Sequence, residues 1–177
     1  MISSKTTRRV FATGISVLTL CAAGAAKADG TVECNVGPGL NSTECGVGTL
    51  AGQDATAVGQ GAVAEDNGTA IGAGAYAPGS AATAIGGLSY AKSQASTAIG
   101  AGSKATTMNS TAVGASSQAT GAFSTAIGEE SLANMIDTTA VGQLSQAVGD
   151  GATATGLRAT ASGIVSTAIG TRSQAFG

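Results

Sequence analysis

The sequence predicts an all-β fold, a parallel β-roll built from coils of 14 residues with two short strands each. Three observations point there. A tetrapeptide returns at almost constant spacing, its repeated side chains are small or β-branched, and the composition lacks the material of an ordinary core. The 177 residues contain 28 glycines but no histidine or tryptophan, aromatics make up 3%, and charged residues make up 10%. Alanine, valine and isoleucine must therefore do the packing. The missing histidine removes the commonest general base and the commonest metal ligand. A hydrophobic fraction of 43% with a formal net charge of -2 is equally unlike a disordered chain, which is low in hydrophobicity and high in charge.

Residues 1–28 read as an export signal. Lys5, Arg8 and Arg9 form a cationic start, Val10 to Ala26 is mostly apolar, and Ala26-Lys27-Ala28 offers the small-x-small site for cleavage before Asp29. Thr13, Gly14, Ser16 and Gly24 dilute the stretch, which argues against a membrane span of roughly 20 apolar residues. Thr7-Arg8-Arg9-Val10-Phe11 also resembles a twin-arginine signal, so the choice between the general and twin-arginine export routes stays open. Cys21 follows Leu20, which is too bulky for the residue before a lipidated cysteine. With residues 1–28 removed, Lys92, Lys104, Arg158 and Arg172 face all ten acids, and the mature net charge is −6. Such a balance argues against nucleic acid as a partner, because phosphate binding requires a basic face.

Residues 29–42 are expected to form an N-terminal cap segment. Cys34 and Cys45 are the two cysteines of the mature chain, and in an exported protein a bond between them would staple the first coil. The competing expectation places Cys45 in an apolar column as a buried free thiol.

The repeat occupies residues 43–177. Thr-Ala-(Ile/Val)-Gly begins at Thr56, Thr69, Thr83, Thr97, Thr111, Thr125, Thr139 and Thr167, with Thr153-Ala154-Thr155-Gly156 filling the gap. Thr43-Glu44-Cys45-Gly46 reads as a degenerate opening coil. The unit is too short for a helix pair, and a glycine in every unit would break helices. It suits one coil of a β-solenoid.

Stacked coils turn the repeat into columns. Val58, Ile71, Ile85, Ile99, Val113, Ile127, Val141 and Ile169 form a β-branched column, expected with the threonines to be the core ladder of the coil interior. Ala57, Ala70, Ala84, Ala98, Ala112, Ala126, Ala140, Ala154 and Ala168 form an unbroken alanine column on the opposite face of the same strand. An invariant small column suggests a closely approaching partner, so it is expected to be the subunit interface of a homo-oligomer; the alternative is that alanine pads a tight turn. The second strand reads small-variable-small, as in Ser103-Lys104-Ala105 and Ser117-Gln118-Ala119, with its variable face solvated. Tyr76 and Tyr90 should stack on adjacent coils of that outward column beside Lys104, either as adhesive contacts or as a stiffening pair.

Ser96-Thr97-Ala98-Ile99-Gly100-Ala101-Gly102-Ser103 and Ser124-Thr125-Ala126-Ile127-Gly128-Glu129-Glu130-Ser131 resemble the head repeat of trimeric autotransporter adhesins, the YadA-like heads. That family's motif runs Asn-Ser-Val-Ala-Ile-Gly-x-x-Ser, and here Thr stands for the motif's Val. The resemblance covers roughly residues 43–177. It implies a left-handed parallel β-roll, a homotrimer, and attachment of a Gram-negative bacterium to host extracellular matrix, cells or surfaces. The implied setting is the cell surface, associated with the outer membrane, or the extracellular space. Neck, stalk and barrel anchor, which family members carry, are not found before Gln174-Ala175-Phe176-Gly177, so the chain is expected to be a fragment or short paralogue, or to be released or tethered by another protein.

No catalysis, cofactor, metal or small-molecule substrate is expected. Glu129-Glu130 and Glu65-Asp66-Asn67-Gly68 are acidic turns without a calcium repeat. The serines lack a matching base, and the glycines follow the repeat rather than forming a phosphate loop. A second function class, a secreted solenoid with a regular-surface task such as ice binding, is kept because a threonine column recurs. Its expected position inside the coil argues against it.

Overall fold

The computed structural model describes residues 34–35 and 39–177; the predicted signal segment lies outside the described residues. The chain winds through ten coils and forms two sheets. Strand β1 (Cys34–Asn35) pairs antiparallel with β2 (Thr43–Cys45), and this pairing opens the first sheet. From β2 onward that sheet, sheet A, consists of parallel three-residue strands ending at Thr167–Ile169. Sheet B begins with β3 (Leu50–Ala51) and continues as parallel two-residue strands to Gln174–Ala175.

Register follows the repeat: Thr97, Ala98 and Ile99 pair with Thr111, Ala112 and Val113 in the next coil. Each column read from the sequence is thus a physical stack, with strands about 4.8 Å apart.

Two tight turns join the sheets in every coil. The first starts at the motif glycine. Gly128 has φ 129°, and a Cβ there would lie 2.5 Å from the backbone of Gly142. Only glycine satisfies both the positive φ and the close stacking. The turn is closed by a hydroxyl three residues on, as where Ser103 Oγ donates to the Gly100 carbonyl at 2.9 Å. The second turn ends in the same way, with Ser110 Oγ donating to the Thr107 carbonyl at 2.6 Å. Among the described residues no buried side-chain N or O lacks a hydrogen-bond partner, so the desolvation of the serines lining this narrow interior is offset by hydrogen bonds.

The interior itself corrects the sequence expectation. Every member of the column predicted as subunit interface is buried by its own chain: Ala57, Ala70, Ala84, Ala98, Ala112, Ala126, Ala140 and Ala154 are at 0% exposure and Ala168 at 3%. The predicted core ladder points outward instead. Ile71, Ile99, Ile127 and Ile169 are exposed, and Val58, Ile85, Val113 and Val141 are half-buried. Threonines of the motif, such as Thr97 and Thr111, are half-buried on that same outer face. The cause is size. Four-residue turns hold the two sheets so close that Ala and Ser meet across the gap, and the largest fully buried side chains apart from Glu44 are Thr49 and Thr138. Isoleucine has no room inside, so strand alternation leaves it outside.

Candidate functional site

The coils present two unlike outer faces. On sheet A, motif positions one and three point outward, giving a threonine column beside an Ile/Val column. The Ile/Val column runs from Val58 to Ile169, interrupted only at Thr155. Apart from Thr155 it is an apolar ladder that the described residues leave uncovered, since Ile99 keeps 36% and Ile127 40% of its surface exposed. A soluble chain rarely leaves such a stripe bare unless something packs on it. The threonine column, expected inside, lies next to it.

On sheet B the outward column is the first residue of each two-residue strand. Its members Leu50, Val63, Tyr76, Tyr90, Lys104, Gln118, Leu132 and Gln146 change from coil to coil, while the flanking Ser and Ala, such as Ser103 and Ala105, are buried. Tyr76 and Tyr90 pair in register, with ring centroids 5.5 Å apart and planes 6° from parallel. Lys104 pairs with Tyr90 on the other side. The stack and its lysine neighbour are therefore where the sequence reading located them.

The first coil has its own chemistry. Cys34 and Cys45 are joined by a disulfide, 11 residues apart, which ties β1 to β2. Glu44 takes the place that alanine holds in the later coils and is 1% exposed. Its Oε1 accepts the Ala51 N–H at 2.7 Å. In a parallel ladder, backbone groups alternate between the two neighbouring strands. Because β3 is the terminal strand of its sheet, the Ala51 N–H, which points away from the next strand, has no preceding strand to meet among the described residues. The Glu44 carboxylate fills that role, and the carboxylate rather than a methyl group occupies the open end of the interior. Glu44 was visible as a departure from the repeat, but its function was not, because Ala51 gives no sign of its unmet donor.

A further set of exposed side chains was not anticipated. Met108, Phe123, Ile136, Ile164 and Val165 project from the second turns of the later coils, at exposures from 44% to 76%. Met108, Ile136 and Ile164 share one turn position, two periods apart, and Phe123 and Val165 share the next, three periods apart; the coils between carry Ala122, Asp137, Asp150 or Gly151 there, so neither column reads as apolar in the sequence. Among the described residues no group of three or more His, Cys, Asp or Glu is placed to hold a metal ion.

A model of the YadA head domain repeat matches residues 51–69, 65–89, 91–117, 108–131, 133–159 and 161–177. These segments account for well over half of the chain. The chain belongs to the YadA head family. No curated protein matches it. Membership fits the parallel solenoid of 14-residue coils, and it assigns an adhesin-type function, generally non-enzymatic, to a surface-exposed or extracellular protein. The alternative of ice binding is not favoured by this family, and the threonines share their face with an Ile/Val column rather than forming an all-hydroxyl surface.

Proposed function

We propose that the mature chain is the head of a homotrimeric adhesin, without enzymatic activity, exported through the signal at residues 1–28 and displayed at the surface of a Gram-negative bacterium or released from it. Its task is attachment to host extracellular matrix, host cells or other surfaces. The observation that carries this reading is the Ile/Val column of sheet A, apolar except at Thr155 and left uncovered by the described residues. Apolar area gains about 25 cal/mol per Å² on burial, so a full-length stripe favours side-by-side association. The choice of three chains comes from the YadA family. The interface is therefore assigned to Val58, Ile71, Ile85, Ile99, Val113, Ile127, Val141 and Ile169 in place of the alanines.

With sheet A turned toward sister chains, sheet B is the face left for a ligand, and the stack of exposed Tyr76 on half-buried Tyr90 is its aromatic feature. The test is the mass of the mature protein by light scattering during size exclusion. A three-chain species is expected, and the double variant Ile99→Ser, Ile127→Ser should shift it toward single chains. A folded single chain at every concentration, or a double variant that associates as before, overturns the reading.

A further inference from the structure

Charge is segregated along this solenoid. From Asn67 to Gly128 the chain contains no Asp or Glu, and its only charged side chains there are Lys92 and Lys104. Acids crowd the coils before this stretch, at Asp54, Glu65 and Asp66, and return after it at Glu129 and Glu130. In a mature chain of net charge −6, the middle coils form a cationic band. Lys104 lies on sheet B, Lys92 directly follows the sheet B strand Tyr90–Ala91, and both are exposed. Lys104 pairs in register with Tyr90, and the Lys92 backbone N–H donates to Ala105, the residue after Lys104, at 2.9 Å.

The same column continues in the other direction as apolar surface. Leu50 pairs with Val63, Val63 with Tyr76, and Tyr76 with Tyr90. Leu50 is 58% exposed and Tyr76 41%. Four steps of about 4.8 Å make the column from Leu50 to Lys104 about 19 Å long, the reach of about six extended residues. One end is aliphatic and aromatic, and the other is cationic.

We infer that this column binds an extended polypeptide segment that places apolar side chains on Leu50, Val63 and the tyrosines and carboxylates on Lys92 and Lys104. This names the partner class for the adhesive face proposed above and rests on that reading. Charge complementarity selects the acidic end, because these are the only cations on a stretch without acids. Ring geometry selects a peptide over a sulfated glycan. Sugars pack on aromatic faces, whereas Tyr76 and Tyr90 each cover one face of the other at 5.5 Å. A polyanion would also leave Leu50 and Val63 unused.

The experiment measures anisotropy of labelled peptides with the full mature head. The probes pair a Leu-Val-Phe run with a Glu-Glu-Asp-Glu run in both orders, beside controls carrying Gln and Asn in place of the acids. Binding should weaken about tenfold or more for Lys92→Gln with Lys104→Gln, and likewise for Tyr76→Ser with Tyr90→Ser. It should fall with salt and with the amide controls, and heparin should compete poorly. Failure of both peptide orders, or affinity unchanged in either variant, overturns the inference. So does heparin binding that survives in the tyrosine variant. Head-coated beads on matrix-coated surfaces, run in parallel, separate the two levels. Beads that attach through the tyrosines while the peptides do not bind sink only the partner class, whereas beads that never attach sink the adhesin reading.

Discussion

Sheet A and sheet B belong to the same coils and close on the same interior, yet their outer faces follow different rules. Sheet A repeats Thr and Ile/Val outward from coil to coil, as at Thr97, Ile99, Thr111 and Val113. Sheet B places Tyr, Lys, Gln and Leu at its outward position without preference. Inside, both contribute only small residues, as with Ala98 and Ala105 at 0% exposure. The difference teaches that invariance has two causes in a solenoid. The interior column is invariant because a coil of this width admits nothing larger, whereas the outer column of sheet A has no such internal constraint. A second chain supplies one.

The largest effect should come from adjacent residues that the comparison puts on opposite sides of one strand. Ala126 is fully buried and Ile127 is 40% exposed. Ala126→Leu must force three extra carbons into a gap where Ala and Ser already touch, and it should destabilise the chain by about 3 kcal/mol or more. Thermal unfolding followed by circular dichroism measures it. If Ala126→Leu is tolerated, alanine is not held by the interior, and the original assignment of that column to an interface revives.

Much of this fold was legible in the sequence, and the part that was not has a definite cause. The period, both strands and the buried Ser and Ala of the second strand could be read from Thr56 to Ala175. The Tyr76–Tyr90 pair followed from their one-period separation. Strand alternation shows that Ala98 and Ile99 face opposite ways, but not which way is in. Hydrophobicity argued for Ile99 inside; the deciding quantity was the distance between sheets, set by turns such as Gly100–Ser103 that bring them within reach of two small side chains. Phe123 and Ile136 did not stand out, because their turn columns mix them with Asn109, Asp137, Ala122 and Asp150, and a column whose character changes from coil to coil gives no apolar signal.

Glu44 sharpens the comparison at the one coil where the interior rule lapses. It stands in the alanine column where the first coil has an N–H at Ala51 without a strand partner among the described residues. Glu44→Ala should cost about 1–3 kcal/mol by leaving that donor unmet. Glu44→Gln keeps an acceptor oxygen and should recover most of the loss. Hydrogen exchange at the Ala51 amide is the direct measure, rising in the alanine variant and staying slow with glutamine. Equal exchange in both variants would mean that the carboxylate only fills space.

The smallest effect belongs to sheet B. Leu132 points outward between Gln118 and Gln146 in the same column, paired in register with both. If this face is free of sister chains and of the interior, Leu132→Gln merely extends a polar run already present. Surface changes of this kind stay within about 0.5 kcal/mol, and neither the unfolding temperature nor the solution mass should move beyond that. Isoleucine-to-serine changes on sheet A, made at comparable exposure, are expected to dissociate the assembly. Equal outcomes on the two faces would remove the distinction, because the variability of sheet B would then reflect tolerance within an interface rather than exposure to solvent.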